Sequence, residues 1–74
     1  MSFVNELKKM NRKELDNIVF SIALTERQTK IFYARYLSGY SLLNIADLIC
    51  VSYSTVTHES VIINNKIDKH MNSI

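Results

Sequence analysis

Apolar residues recur along this chain at intervals of three and four, the period of one helical face. Leu15, Ile18, Val19 and Ile22 stand at i, i+3, i+4 and i+7. Val56, Ile63 and Ile67 make a second stripe in the longest periodic segment, and Phe3, Leu7 and Met10 a short one near the start. No stretch alternates apolar and polar over the length of a strand, so the expected class is all-α. Capping residues divide the pattern into five helices. Ser2 is placed to cap the first. Asn11 with Glu14 and Thr25 with Gln28 are capping-box pairs for the second and third. The third holds Ile31, Phe32 and Leu37 and closes at Gly39, a residue suited to a left-handed C-cap. Ser41 opens a fourth helix over 42–49 with Ile45 and Ala46 inward, and Ser52 opens a fifth from Tyr53 toward His70, ending at about 69.

The sequence contains no proline and one glycine, which leaves no linker composition and predicts one domain over 1–74. Residues 1–23 form its N-terminal helices and 24–70 a second unit. Domains of this size bury only about 60% of their unfolded surface, so a partner or a second copy is expected to help. Val61, Ile62, Met71 and Ile74 are left over once the inward stripe of the fifth helix is filled. Phe3, Val4, Leu7 and Met10 are expected to exceed what so small a core can take up, so a homodimer through these surfaces is expected.

Chemistry narrows the classes further. The single cysteine, Cys50, excludes an intramolecular disulfide and is expected to be a small buried residue in a turn; with two scattered histidines it makes no metal site, and no cofactor is expected. No apolar run approaches a membrane span, and the N-terminus lacks an apolar secretory core, so the expectation is no membrane and a cytoplasmic location. A net charge of +2 permits nucleic acid without demanding it. Catalysis is not expected: there is no glycine-rich phosphate loop, and the neighbour of His58, Glu59, points about 100° away on a helix.

The run Leu24-Thr-Glu-Arg-Gln, then Arg35-Tyr-Leu-Ser-Gly-Tyr-Ser41, Ile45-Ala-Asp and Val51-Ser-x-Ser-Thr-Val56 resembles region four of the bacterial sigma factors. The register continues without a gap from Leu24 to about Ile67. The quorum-sensing (LuxR-type) regulators share the Leu-Thr-x-Arg opening and the Val-Ser-x-x-Thr-Val element, but their spacing before the glycine is one residue shorter. The resemblance implies a helix-turn-helix unit, with Ala46 as the small residue where two helices cross and the helix after Ser52 entering the major groove of double-stranded DNA. Three positions depart from the family pattern. Cys50 stands where the family's turn carries glycine. Thr57-His58-Glu59-Ser60-Val61-Ile62 replaces a basic run, leaving no fixed positive charge between Ser52 and Asn65. Ser60 occupies a position of large apolar side chains.

With Val56, Ile63 and Ile67 inward, helical spacing puts Tyr53, Ser54, Thr57, His58 and Val61 on the outer face as candidate base-reading residues. Thr57 and Val61 suit thymine methyls, His58 a purine acceptor, and Tyr53 and Ser54 nearby phosphates. Candidate phosphate contacts are Arg27 and Lys30 at the start of the third helix, the caps Ser41 and Ser52, and Lys66 and Lys69 near the chain's end. Arg35 is expected to pair with a carboxylate such as Asp47. The cluster Lys8, Lys9, Arg12 and Lys13 is diluted by Glu6, Glu14 and Asp16 and reads as a solvated face. Two functions follow. One is a small sequence-specific DNA-binding transcription regulator, a homodimer from a phage or other mobile element. The other is a protein-interaction module on the same scaffold that binds RNA polymerase, a sigma factor or a repressor through Val61 and Ile62.

Overall fold

The computed structural model describes residues 4–72, and over that span the chain is all-helical. The expectations for Ser2, Phe3, the side chain of Val4 and Ile74 lie outside the described residues. The five helices are α1 (Val4–Lys8), α2 (Arg12–Ser21), α3 (Glu26–Tyr36), α4 (Leu42–Leu48) and α5 (Tyr53–Asn72). None among them is long and apolar enough to cross a membrane.

Their starts are chemically fixed. The Glu14 amide donates to Asn11 Oδ1 at 2.9 Å while the Asn11 amide donates to Glu14 Oε1 at 3.2 Å. The Gln28 amide donates to Thr25 Oγ1 and the Thr25 amide to Gln28 Oε1, at 3.1 and 3.0 Å. Each box satisfies two backbone donors that a helix start otherwise leaves orphaned. Ser41 accepts from the Asn44 amide at 3.2 Å and Ser52 from the Thr55 amide at 3.1 Å. The end of α3 is set by Gly39, whose φ of +76° lets the Tyr40 amide reach back to the Ala34 carbonyl.

The core gathers one stripe from each helix: Leu7, Leu15 and Ile18, Ile31 and Phe32, Ile45 and Ala46, and Val56, Ile63 and Ile67. Two expectations need correction. Leu7 is 1% exposed and Met10 packs against the core, so the N-terminal stripe is no surplus surface. The reason is the placement of α1 against α3, which spacing along the chain does not reveal. Leu37, expected inside, is 39% exposed because α3 ends at Tyr36 and turns it outward. Gln28, whose side chain serves the Thr25 box, is buried.

The α3–α5 seam is polar. Arg35 donates from Nη1 to Ser60 Oγ at 2.6 Å, and the Tyr36 hydroxyl donates to Asn64 Oδ1 at 2.9 Å. Arg35 also lies over the Tyr36 ring, 5.3 Å from its centroid. Its partner is therefore Ser60 and not Asp47, because the guanidinium reaches along α3 toward α5. Burial pushes the Tyr36 phenol above its ordinary range, the Arg35 charge pulls it down and Asp68 pushes it up, so it stays a donor at neutral pH.

Candidate nucleic-acid interface

The connection between α4 and α5 is four residues, Ile49 to Ser52, and its shape comes from one unusual backbone angle. Cys50 has φ +58°, the left-handed region that glycine enters freely and other residues enter at a cost of about 1 kcal/mol. Around it the Val51 amide donates to the Ala46 carbonyl at 3.0 Å and the Cys50 amide to the Asp47 carbonyl at 3.4 Å. These are the two bonds of a Schellman close, and they satisfy carbonyls that α4 leaves orphaned. Cys50 is exposed, against the expectation of burial, with its thiol on the solvent side of the turn, 3.9 Å from the Asp47 carbonyl.

From this turn α5 presents Tyr53, Ser54, His58 and Val61 to solvent, Val61 at 55% exposure. Thr57 does not join them. It is half-buried, and its Oγ1 is shut from solvent without a hydrogen-bond partner. The helical period explains the difference. With the core direction set by Val56, Ser60, Ile63 and Ile67, Thr57 lies about 90° away, on the flank that carries Asn64, while Ser54, His58 and Val61 lie nearer the opposite side. Its methyl and hydroxyl are committed to the scaffold. Replacing a sealed, unpaired hydroxyl with a methyl of the same shape removes a desolvation cost. Thr57→Val is therefore expected to stabilise the domain by about 1 kcal/mol and raise its midpoint by about 4 to 8 °C. Thermal unfolding followed by circular dichroism checks this, and a lowered midpoint would mean that the hydroxyl has a partner.

Arg27 and Lys30 are exposed on the first turns of α3 and, with Glu26, line a shallow groove of about 340 Å³ whose other wall is Ile49 and Val51 of the turn. The fold thus brings two candidate phosphate contacts beside the entry to α5. Lys30 is partly offset by Glu26, 3.7 Å away and one turn back. Ser41 and Ser52 are exposed, with hydroxyls already accepting from their own helix starts; Ser52 Oγ also lies 2.8 Å from Thr55 Oγ1.

Lys66 and Lys69 stand apart from this group, about 21 to 26 Å along the α5 axis from Ser52. Lys66 is half-buried, and its ammonium donates to the Ala23 carbonyl and, at 3.2 Å, to Gln28 Oε1. It ties α5 to the α2–α3 connection. Lys69 is exposed, and both lysines border a groove at the end of α2.

Sequence reasoning left two features unassigned. The spacing 56, 60, 63, 67 already marks Ser60 as an inward position, but its partner is 25 residues away and has no local signal. Phe20 is 94% exposed at the end of α2, although its residue type suggests a core. Among the described residues no three His, Cys, Asp or Glu side chains gather as a metal site. Comparisons with protein-family models, curated proteins and solved structures give no match.

Proposed function

We propose that the chain is a small DNA-binding transcription regulator that lays the first half of α5 in the major groove. One observation carries the reading: a tight turn delivers an exposed α5 stripe, Tyr53, Ser54, His58 and Val61, and two cations of α3, Arg27 and Lys30, line a groove against that turn. An α-helix fits the major groove, and cations to the side neutralise the phosphate rails. The resemblance to region four of the sigma factors supports the same use of α5. None of the exposed residues is an arginine matched to guanine or an Asn or Gln matched to adenine, so discrimination rests on His58, Val61 and DNA shape.

A homodimer is part of this proposal, since one weak reading head gains affinity by engaging two half-sites. The N-terminal stripe does not supply its contact, because Leu7 belongs to the core. Such a regulator works in the cytoplasm and is of a kind that a phage or other mobile element encodes.

The test is an electrophoretic shift series against salt. If Arg27 and Lys30 each neutralise a phosphate, replacing either with alanine flattens the slope of log affinity against log salt by about one unit and leaves base preference unchanged. His58→Ala is expected to leave the fold intact and cost about 1 to 3 kcal/mol of sequence discrimination. A salt-independent affinity, or no shift at low salt, rejects DNA reading. In that event the second reading takes over, a module that binds RNA polymerase, a sigma factor or a repressor. The observation favouring it is an α5 surface with no fixed cation from Ser52 to Asn65 and an exposed Val61.

A further inference from the structure

The end of α2, the connection after it and the last turns of α5 border a shallow, open groove of about 360 Å³ lined by Ser21, Ile22, Ala23, Lys66, Lys69 and His70. Two features set it apart from an ordinary solvated surface. The first is its charge. Lys66 is held by two neutral acceptors, the Ala23 carbonyl and the Gln28 amide oxygen, so its position is fixed while its charge stays uncancelled. Lys69 has no ion-pair partner among the described residues. The nearest acid in sequence, Asp68, does not line the groove and acts instead on the Tyr36 phenol. The second is Phe20, the most exposed of the large apolar side chains, immediately before the lining residues Ser21 and Ile22.

We propose that this groove is a docking site for an acidic segment of another protein that carries an apolar anchor, with carboxylates meeting Lys66 and Lys69 and the anchor meeting Phe20 and Ile22. Charge complementarity selects an acidic occupant. Phe20 and Ile22 select protein over duplex DNA, whose bases are stacked on one another inside the helix and whose phosphate rails offer nothing to cover an aromatic ring, whereas aromatic anchors are enriched in protein interfaces. A pre-positioned lysine also raises affinity, since its side-chain entropy is already spent in folding. This site lies toward the far end of α5, Lys69 being about 16 Å along the axis from His58, so it stands whether or not the first half of α5 enters DNA.

The experiment titrates the isotopically labelled full chain with a short synthetic peptide of glutamate and leucine, followed by amide chemical shifts. The controls are a matched peptide with serine for leucine, inorganic phosphate alone, and random-sequence duplex DNA. The glutamate–leucine peptide is expected to shift the amides of Ser21, Ile22, Ala23, Lys66 and Lys69. Phe20→Ser and Lys69→Glu, both at exposed positions that the fold does not need, should each weaken binding about tenfold. The serine peptide should bind about as weakly as the Phe20→Ser variant binds the parent peptide, and Lys69→Glu should leave the salt slope of any DNA binding unchanged. The inference is overturned by any of four results. The peptide shifts none of these amides; Phe20→Ser binds as tightly as the parent; phosphate alone saturates the same amides, marking a free-anion site; or duplex DNA shifts them and Lys69→Glu flattens the salt slope, marking a DNA face.

Discussion

Leu7→Ala is expected to lower the unfolding free energy by about 2 to 5 kcal/mol, the usual cost of a cavity left by a deleted leucine. Leu7 is 1% exposed and stands among the largest fully buried side chains, together with Phe32, Leu15 and Ile31. A domain of this length holds roughly 4 to 11 kcal/mol in total at ordinary per-residue stability, so the substitution removes a large share of it. The urea midpoint should fall with little change in slope, because the surface exposed on unfolding stays nearly the same. Lys8→Ala, one residue on and exposed, is the control and should stay within about 0.5 kcal/mol of the parent. If Leu7→Ala leaves the midpoint where it was, α1 is not part of the core, and the N-terminal stripe returns as a candidate surface between copies.

That result bears on why some of the fold was legible in the sequence and some was not. Signals that act over three or four residues were readable: both capping boxes form, Gly39 takes the left-handed angle that its turn requires, and Val56, Ile63 and Ile67 point inward. What the sequence did not carry is which elements meet. Leu7 looked surplus because its stripe is short and its burial depends on α1 folding against α3. Lys66 looked like a surface cation because no local pattern announces that its ammonium reaches the Ala23 carbonyl, 43 residues back. Thr57 fails for a subtler reason. It lies near the boundary between faces, where a helical wheel alone does not decide burial and the neighbouring helix does. The exposed part of the candidate interface, Tyr53, Ser54, His58 and Val61, was legible because it lies farther from that boundary or at the open end of α5.

Ser60→Leu, which puts a large apolar side chain at this inward position of α5, is expected to destabilise this chain by about 2 to 4 kcal/mol. Three terms decide the sign. Burying a leucine gains about 1.5 to 3 kcal/mol where there is room. Ser60 is already buried, with its Oγ 2.6 Å from Arg35 Nη1, so the added carbons meet a filled space and overpacking costs about 1 to 3 kcal/mol. The substitution also removes the guanidinium's hydroxyl acceptor while Arg35 remains half-buried over the Tyr36 ring, a further loss of about 1.5 to 3 kcal/mol for a bond to a charged group. With no room for the leucine, the gain is largely forfeited and the two costs win. The pair then behaves as a unit. Arg35→Met takes away the guanidinium and supplies a flexible side chain that yields space, so Arg35→Met with Ser60→Leu should recover much of the lost stability. The double-mutant cycle should show a coupling of about 1 to 3 kcal/mol, well beyond the few tenths seen for independent sites. Chemical denaturation of the four proteins measures it. Additive effects within those few tenths would mean that Arg35 and Ser60 are not coupled, and that α5 is seated by its apolar stripe alone.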